Sequence, residues 1–456
     1  MKDQVKKELK ALLSTDRATD KPEHLVTYSY DAYTEERLPD IVVFPTSTEE
    51  VSAIMKIAHR ENVPVTPRGS GTNLAGESVP MRGGIVLCLT MMDKILSIDA
   101  ENLTAIVQPG VINLDLQKAV AKKGMMYPPD PASWAVATLG GNVATNAGGP
   151  RTLKYGVTKD YLLGLTVVLA NGDVLKTGGR TLKNVTGYNL TSLFCGSEGT
   201  LGIITEIILR LVPKPQATQT IRADFMRLQD CSDAVAAIIA AGIVPAALEL
   251  MNRFVIQAAE KAFNLGLPTD MEGLLLIQVD GNPHTVATEV AEIEEILRRK
   301  AVKNIICASD PAEIEKLWLA RRSGAPALMR MKPNTVTEDV TVPVSNLTAM
   351  IGKVVEICDR HRIPVGVLAH AGDGNLHPCM VFDMRDKDEY ARVKMACDDL
   401  VPEALALGGT LSGEHGIGIA KAPFLKMEMD AVALGAMQGI KNFFDPKGIL
   451  NPGKFV

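Results

Sequence analysis

The chain has 456 residues. At about 150 residues per domain, that length predicts two or three domains and excludes a single small binding module. Hydrophobic residues make up 46% and charged residues 22%, which is typical of a folded globular protein and excludes the disordered, collagen-like and disulfide-rich classes. The 48 Lys and Arg against 53 Asp and Glu give a net charge of −5, so the basic surface that nucleic-acid binding requires is not indicated.

The spacing of the cysteines and the length of the apolar stretches indicate the cellular compartment. The seven cysteines are never closer than the 18 positions between Cys379 and Cys397, which excludes iron–sulfur and zinc-ribbon spacings and predicts buried free thiols in a reducing compartment. Residues 1–13 predict a short amphipathic helix without the apolar core of a secretion signal. The longest apolar stretch, residues 234–248, is too short for a bilayer span of about 20 residues, so a cytoplasmic location is expected.

The N-terminal half alternates short strands with helices, beginning with a βαβ-like unit. Residues 139–149 are rich in glycine and asparagine, which both helix and strand disfavour, so a loop with exposed backbone is predicted there. The predicted strands are 41–44, 63–66, 85–89, 95–99, 104–108, 164–170 and 203–211, and the predicted helices are 49–59 and 113–123.

A proline-rich stretch at residues 212–215 indicates a domain boundary. The strand–helix alternation that follows predicts a sheet covered by helices on one side. The Asp-Gly pair within residues 371–375 predicts a hairpin tip. The predicted strands are 220–225, 246–250, 274–280, 365–369 and 378–382, and the predicted helices are 232–241, 284–300, 388–407 and one that begins near Pro311.

Three glycine-rich segments, residues 68–73, 140–149 and 196–202, suggest backbone that wraps a long ligand. The first follows a predicted strand and could cradle a pyrophosphate, although its glycine spacing is not the dinucleotide-binding fingerprint. The alternative is a set of tight corners in a sheet-rich domain.

Histidines and one carboxylate cluster in two short glycine-rich stretches. His370 and His377 flank the predicted hairpin, so chain reversal can bring both imidazoles to one end of two paired strands. Glu414 and His415 lie on a flexible turn between glycines. Two histidines and a carboxylate can hold a divalent ion with positions open for substrate. From spacing alone, a polar hydrogen-bonded network is an equal alternative.

Arginines mark the helix that begins near Pro311. Arg321 and Arg322 follow Trp318, and solvated charge is the interpretation that the pattern favours. The alternative is that one of them clamps a carboxylate with two hydrogen bonds.

Together these segments resemble the FAD-binding superfamily of the vanillyl-alcohol-oxidase (PCMH) type, and within it the dehydrogenases of D-lactate, glycolate and D-2-hydroxyglutarate. The resemblance covers residues 40–456 and rests on residues 67–76, 128–131, 138–149, 196–206, 370–377, 413–416 and 451–454. It implies an α+β fold in which a two-subdomain FAD-binding domain is joined to a cap domain with an antiparallel sheet covered by helices. The expected division is 1–37 (helical extension), 38–213 (FAD domain), 214–420 (cap domain with the metal site) and 421–456 (a segment returning to the FAD domain).

The same resemblance implies the site residues. His370, His377 and Glu414 are expected to bind a divalent metal (Zn, Fe or Mn), His415 to act as the base and Arg321 to bind the substrate carboxylate. Thr72 stands where relatives with covalent flavin often carry a histidine, so noncovalent FAD is expected. The residues expected to contact FAD are Pro67, Arg68, Gly69, Ser70, Gly71, Thr72, Asn73, Pro131, Thr138, Gly141, Asn142, Thr145, Asn146, Gly148, Glu198, Gly199, Ile204 and Asn451.

Two departures from the pattern bear on the substrate. Enzymes for 2-hydroxyglutarate carry a lysine and an asparagine where this chain has Thr337 and Cys379. A second carboxylate would then be buried without a partner, which is costly. We therefore expect metal-assisted oxidation of a short D-2-hydroxy acid, D-lactate above all, to the 2-oxo acid.

The sequence leaves alternative functions and the identity of the redox partner open. The nearer alternative is the same enzyme class acting on D-2-hydroxyglutarate or glycolate, and the more distant one is a noncatalytic flavin-binding subunit. By family analogy, the electrons are expected to pass to a partner protein such as an electron-transferring flavoprotein or an iron–sulfur subunit. That partner could hold the protein at a membrane surface.

Overall fold

A computed structural model describes residues 1–14, 16–308 and 310–455. Within it the chain forms two compact units. Unit 1 consists of Met1–Gly148, Val157–Lys214 and Glu414–Val456, and unit 2 consists of Gly149–Gly156 and Pro215–Gly413. Neither unit is one continuous stretch of chain.

The α-helices of the described residues are numbered in chain order. They are α1 Asp3–Leu13, α2 Pro22–Leu25, α3 Thr48–Glu61, α4 Asn113–Ala121, α5 Leu139–Thr145, α6 Thr152–Tyr155, α7 Leu190–Phe194, α8 Leu228–Ala240, α9 Arg253–Phe263, α10 Pro283–Arg299, α11 Pro311–Arg322, α12 Gly324–Met329, α13 Leu347–Arg360, α14 Lys387–Ala406, α15 Leu425–Glu428 and α16 Ala431–Phe444.

The β-strands are numbered in the same way. They are β1 Ala18–Thr19, β2 Ile41–Val43, β3 Val65–Arg68, β4 Ile85–Cys88, β5 Ile95–Asp99, β6 Thr104–Val107, β7 Met125–Met126, β8 Leu162–Val168, β9 Val174–Gly178, β10 Ile203–Arg210, β11 Val212–Pro213, β12 Ala217–Phe225, β13 Ala247–Asn252, β14 Gly273–Gly281, β15 Val302–Ala308, β16 Asn334–Thr337, β17 Val340–Thr341, β18 Val365–His370 and β19 Asn375–Phe382.

Unit 1 contains two main sheets. Strands β2, β4 and β3 pair in parallel, with β1 antiparallel at the edge of β2. The second sheet is antiparallel, in the order β5-β6-β10-β8-β9. Helix α3 connects β2 to β3 and buries Val51, Ile54 and Met55 in the core of the parallel sheet, as its hydrophobic period predicts.

The predicted amphipathic helix at the N-terminus is α1. Val5, Leu9 and Leu13 repeat every four residues and are buried in the same core as α3, whereas Leu12 is partly exposed. Burial of these side chains stabilises the helix more than its own propensity does, because short isolated helices are marginal in water.

The loop predicted at residues 139–149 is wrong for its first part, where α5 forms. Thr138 Oγ1 accepts from the Gly141 amide (3.3 Å) and caps the helix, and Asn146 ends it in a left-handed conformation. Leu139 and Val143 are fully buried. Packing of these two side chains therefore outweighs the poor helix propensity of the glycines.

Unit 2 is built on one antiparallel sheet with the order β15-β12-β14-β13-β18-β19-β16, and β17 also pairs with β19. Helices α8, α10, α13 and α14 pack on one face, and α9, α11 and α12 pack on the other. The prediction of helices on one side only is therefore wrong. The reason is visible in β14, where Leu274, Leu275, Leu276 and Ile277 are consecutive buried residues that point to alternate faces.

The seven cysteines are free thiols. Cys88, Cys231, Cys358 and Cys379 are buried as expected, Cys195 and Cys397 are half-buried, and Cys307 on β15 is exposed, which contradicts the prediction. Across the described part of the chain, no helix combines the length and apolar character that crossing a membrane requires.

Candidate active site

Strand β3 leads into the first glycine-rich segment of unit 1. A Cβ atom at Gly69 would lie 2.2 Å from Thr138 Oγ1, so only glycine allows this backbone to pass so close to the start of α5. Ser70 Oγ donates to the Val136 carbonyl (2.6 Å), which ties the same segment to the chain that leads into α5. The first and second glycine-rich segments therefore share one wall.

Two adjoining cavities open beside this wall. Of the residues expected to contact FAD, one cavity is lined by Pro67, Arg68, Gly69, Asn73, Thr138, Gly141, Thr145, Glu198, Gly199 and Ile204. The other is lined by Gly69, Ser70, Gly71, Thr72, Asn73, Pro131, Thr138, Gly141, Asn142, Thr145 and Gly148. The three glycine-rich segments thus surround a continuous concave surface, which the alternative of unrelated tight corners does not explain.

Asn146 and Asn451 do not line these cavities. Asn146 Oδ1 accepts from the Lys159 amide (2.9 Å). Asn451 Nδ2 donates to the carbonyls of Glu77 (2.9 Å) and Glu198 (2.7 Å). In this structure both side chains act within the protein, and a direct contact of either with FAD stays a prediction.

The sequence analysis did not predict a buried cluster of ionisable residues at the first cavity, formed by Glu77, Glu198 and Lys454. Glu77 and Glu198 line that cavity. Burial raises the pKa of Glu198 to about 7. Burial and the charge of Glu198 raise the pKa of Glu77 well above its ordinary value. Burial also lowers the pKa of Lys454 to about 8, although the nearby carboxylates act in the opposite direction. Glu198 therefore titrates near neutral pH, and Glu77 is harder to ionise than an ordinary glutamate.

Glu414 and His415 line the second cavity of unit 1, together with the glycine-rich segments. The chain after them is hydrogen-bonded to Glu198, which lines the first cavity. Glu198 Oε1 accepts from the Ile417 amide (2.7 Å), and Glu198 Oε2 accepts from the Gly418 amide (2.9 Å). Within unit 1, an acidic side chain and an imidazole thus reach the surface that the resemblance assigns to FAD.

Unit 2 carries the predicted hairpin of β18 and β19. His370 pairs with Asn375 and Leu368 pairs with His377, so both histidines lie on the face of the sheet that also carries Cys379. Their ring centroids are 5.0 Å apart at an angle of 83°. The prediction that chain reversal brings the two imidazoles together is confirmed.

Glu249 of β13 is a site residue that the sequence analysis missed. Its carboxylate is buried and lies 2.7 and 2.9 Å from His370 Nδ1. Burial alone would raise the pKa of Glu249, but His370 and Arg321 outweigh it and lower the pKa. A carboxylate on Nδ1 fixes the orientation of an imidazole and leaves Nε2 as the nitrogen that can bind a metal.

Arg321 lies near the end of α11 and is buried. Its Nη2 is 2.7 Å from Glu249 Oε2, and its Nε has no hydrogen-bond partner among the described residues. Arg322 is paired with Glu315 at the surface, where solvated charge is the correct interpretation. For Arg321 that interpretation is wrong, since a buried guanidinium with donors to spare can bind a carboxylate.

Asp339 connects the hairpin to the end of unit 2. One carboxylate oxygen accepts from Asn375 Nδ2 (2.6 Å) and lies 3.9 Å from His377 Nδ1. The other accepts from Ser412 Oγ (2.7 Å). The chain at Ser412 is thereby fastened beside the histidine-bearing hairpin.

Thr337 and Cys379, the two residues expected to distinguish the substrate, lie directly opposite each other on β16 and β19. Thr337 Oγ1 is 3.5 Å from Cys379 Sγ. They lie on the same sheet face as His377, and neither residue carries a cationic or amide group that a second carboxylate would need.

Comparisons with known proteins identify the family and the fold. Residues 39–178 match the model of an FAD binding domain, and residues 214–455 match the model of the C-terminal domain of FAD linked oxidases. The p-cresol methylhydroxylase structure superimposes with a TM-score of 0.83 over 99% of this chain and 96% of that one, at 19% identity, so it shows the fold alone.

Relatives cover almost the whole chain. A glycolate oxidase subunit GlcD from Bacillus subtilis is 47% identical over 94% of this chain and 92% of the relative, and the protein of the same name from Escherichia coli K12 is 36% identical over 95% and 87%. A D-lactate dehydrogenase from Anaerostipes hadrus is 38% identical over 91% and 89%. The chain therefore belongs to the FAD-linked oxidases, flavoproteins whose PCMH-type fold the resemblance predicted.

Proposed function

We propose that the protein oxidises a short 2-hydroxy acid, D-lactate or glycolate, to the 2-oxo acid with noncovalently bound FAD and a divalent metal. The observation that carries this proposal is the buried set of His370, His377, Glu249 and Arg321 on one sheet face of unit 2. Such a set suits a small anion that must be gripped beside a metal.

The cavities of unit 1 fit FAD. Gly69 leaves its backbone bare beside Thr138. Asn142 Nδ2 is buried in the cavity wall with no hydrogen-bond partner among the described residues, which is the condition of a group that awaits a ligand. Thr72 offers no nitrogen for a covalent flavin link. When bound, FAD supplies the acceptor for the hydride that leaves C2 of the substrate.

The donors of unit 2 fit a divalent cation, because Glu249 holds His370 through Nδ1, which makes Nε2 the nitrogen suited to a metal. A bound cation of the Zn, Fe or Mn type supplies Lewis acidity that lowers the pKa of the substrate hydroxyl. We propose Glu414 as the third ligand. Asp339 holds Ser412, and Glu414 follows only two residues later, so its Cα lies within about 7 Å of that of Ser412 by chain length alone.

Arg321 and His415 would bind and deprotonate the substrate, respectively. The donors of Arg321 that Glu249 leaves unused would bind the substrate carboxylate and orient C2. His415 would accept the proton of the 2-hydroxyl as general base. The substrate thus loses a proton and a hydride, which gives the 2-oxo acid. A noncatalytic flavin-binding subunit would not need this combination.

The small polar pair Thr337 and Cys379 favours a monocarboxylate over 2-hydroxyglutarate. Between the two short acids, the 47% identity to the Bacillus subtilis protein named for glycolate oxidation, against 38% to the D-lactate dehydrogenase of Anaerostipes hadrus, favours glycolate, the alternative that the sequence analysis ranked behind D-lactate. A methyl group discriminates weakly between substrates, so turnover of both is expected.

We further propose that the protein delivers its electrons to a partner protein. Support comes from the word subunit in the names of the relatives from Bacillus subtilis and Escherichia coli. The class of acceptor expected is an electron-transferring flavoprotein or an iron–sulfur subunit. The protein would then work in the cytoplasm, and that acceptor could hold it at a membrane surface.

Anaerobic mixing of the holoprotein with a panel of hydroxy acids tests the proposal. D-lactate or glycolate should bleach the flavin absorbance, L-lactate and D-2-hydroxyglutarate should do so at least 10-fold more slowly, and chelation of the metal should abolish the bleaching. Rapid bleaching after complete metal removal would refute the metal-assisted mechanism, and bleaching by D-2-hydroxyglutarate alone would refute the substrate class.

A further inference from the structure

The carboxylate of Glu198 has a position that its predicted contact with FAD does not explain. Both of its oxygens accept from consecutive backbone amides, Ile417 at 2.7 Å and Gly418 at 2.9 Å. Its own amide donates to the Ala144 carbonyl (2.8 Å) in α5, the helix of the second glycine-rich segment. One buried residue therefore connects the wall of the cavities to the chain that follows His415.

Glycine at position 416 is required by the same arrangement. Gly416 has φ +89°, and a Cβ atom there would lie 2.6 Å from Glu77 Oε1 and 2.8 Å from Glu198 Oε1. The carboxyl groups of Glu77 and Glu198 therefore both lie against the backbone of Gly416, the residue after His415. Only glycine can bring the backbone so close to them.

Other ionisable groups lie close to Glu198, but the two amides donate to Glu198. Burial and the charge of Glu198 disfavour ionisation of Glu77. Lys454 lies nearby, where its Nζ donates to the Gly76 (2.9 Å) and Val79 (2.6 Å) carbonyls of the same loop. Asp31 is the other acid of this loop region, and its Oδ2 is occupied by the Ser78 amide (3.2 Å).

We propose that Glu198 is a positioning residue that holds the turn carrying Glu414 and His415 at the mouth of the cavities. The proposal rests on the proposed function and adds to it a residue that touches neither the substrate nor the metal. Its physical basis is that, when Glu198 is ionised, its two hydrogen bonds from adjacent backbone amides fix both the position and the direction of a short segment. A misplacement of about 1 Å at a catalytic base can reduce a rate by about 10²-fold.

Two substitutions separate this role from a general need for Glu198. Glu198→Gln keeps the size but places an amide NH₂ against one of the two backbone N–H groups. Glu198→Asp keeps the charge but is one methylene shorter and cannot reach both amides. Because Glu198 has φ +50°, and aspartate tolerates this region better than most residues, Glu198→Asp is the variant expected to fold without backbone strain. Glu206→Gln on β10 is the matched control, since Glu206 lies outside both cavities.

The holoenzymes are compared by flavin content, by anaerobic stopped-flow reduction and by hydrogen exchange of the peptide that covers residues 413–421. Both Glu198 variants should retain FAD, lose about 10²-fold in the reduction rate at saturating substrate with a smaller change in KM, and exchange the Ile417 and Gly418 amides at least 10-fold faster. Glu206→Gln should match the wild type in all three measurements.

Unchanged exchange at Ile417 and Gly418 in both variants would overturn the proposal. So would faster exchange accompanied by a reduction rate within about twofold of the wild type. If no hydroxy acid reduces the wild-type flavin, the proposed function fails, and the exchange data alone then decide whether Glu198 fixes the turn.

Discussion

Replacement of Glu249 by glutamine tests the buried set of unit 2 most directly. Glu249 is buried and contacts His370 Nδ1 at 2.7 Å and Arg321 Nη2 at 2.7 Å, so the substitution removes one charge from both contacts and retains the shape. Loss of a carboxylate behind a metal-binding histidine costs 10- to 100-fold in metal affinity, which equals about 1.4–2.8 kcal/mol.

Stability should fall as well, for a separate reason. Removal of one partner of a buried ion pair leaves the other charge uncompensated, at a cost of about 3–5 kcal/mol. Glutamine still accepts a hydrogen bond from Arg321, so a loss near the lower end, about 3 kcal/mol, is expected. Glu272→Gln is the matched control, because Glu272 pairs with Arg253 at 2.8 Å with both side chains at least 40% exposed, and such pairs contribute about 0–1 kcal/mol.

The assays are competition with a chelator for metal affinity and denaturant unfolding for stability. Adding Arg321→Met to Glu249→Gln should restore part of the stability, because no unpaired charge remains, but should not restore metal affinity. If Glu249→Gln binds metal as tightly as the wild type, Glu249 does not orient His370 and the inferred role is incorrect.

Three further outcomes follow from unit 1. Gly69→Ala should weaken FAD retention by at least about 10-fold in a fluorescence titration, because the added Cβ would lie 2.2 Å from Thr138 Oγ1. Gly179→Ala is the control and should bind FAD normally, because a Cβ atom there would have no other atom within 4 Å. His415→Ala should retain FAD but reduce it about 10²-fold or more slowly in stopped-flow mixing, and reduction at the wild-type rate would remove His415 from the mechanism. The pKa of Glu198 is about 7 in the folded protein against 4.5 ordinarily, so the native state binds this proton more tightly, and the resulting stability is present below pH 4.5 and lost as the pH rises through 7. The thermal unfolding temperature of the wild type should therefore fall more between pH 5 and 8 than that of Glu198→Gln. Parallel falls in the two proteins would contradict the raised pKa of Glu198.

Elements with a clear hydrophobic period could be predicted from the sequence. Helix α3 buries Val51, Ile54 and Met55 as its spacing predicts, and the Asp-Gly signal placed the hairpin of β18 and β19 correctly. The edge strand β15 was missed because its side chains are mostly half-exposed and give little alternation. Helix α5 was missed because its stability comes from tertiary burial of Leu139 and Val143, which glycine-rich composition conceals.

In the site as well, contacts made within one hairpin could be predicted from the sequence, whereas contacts between distant segments could not. The two histidines share a hairpin, so their proximity follows from a short-range turn signal. The pairing of Glu249 with His370 joins residues 121 positions apart through the neighbouring strands β13 and β18, and no local pattern encodes such a register. One signal was available: Glu249 lies between Leu248 and Leu250 in an apolar strand, where a lone carboxylate must find a buried partner.

The discontinuity of the two units limits how the protein can be divided or recombined. Residues Gly149–Gly156 belong to unit 2 although they follow the second glycine-rich segment directly, and Lys154 and Tyr155 bind Asp280 at 2.6 and 2.7 Å. Glu414–Val456 returns to unit 1. A gene fragment cut at residue 214 would therefore yield two incomplete cores, and a chimera with a relative would keep both cores intact only if all four crossings of the chain were exchanged together.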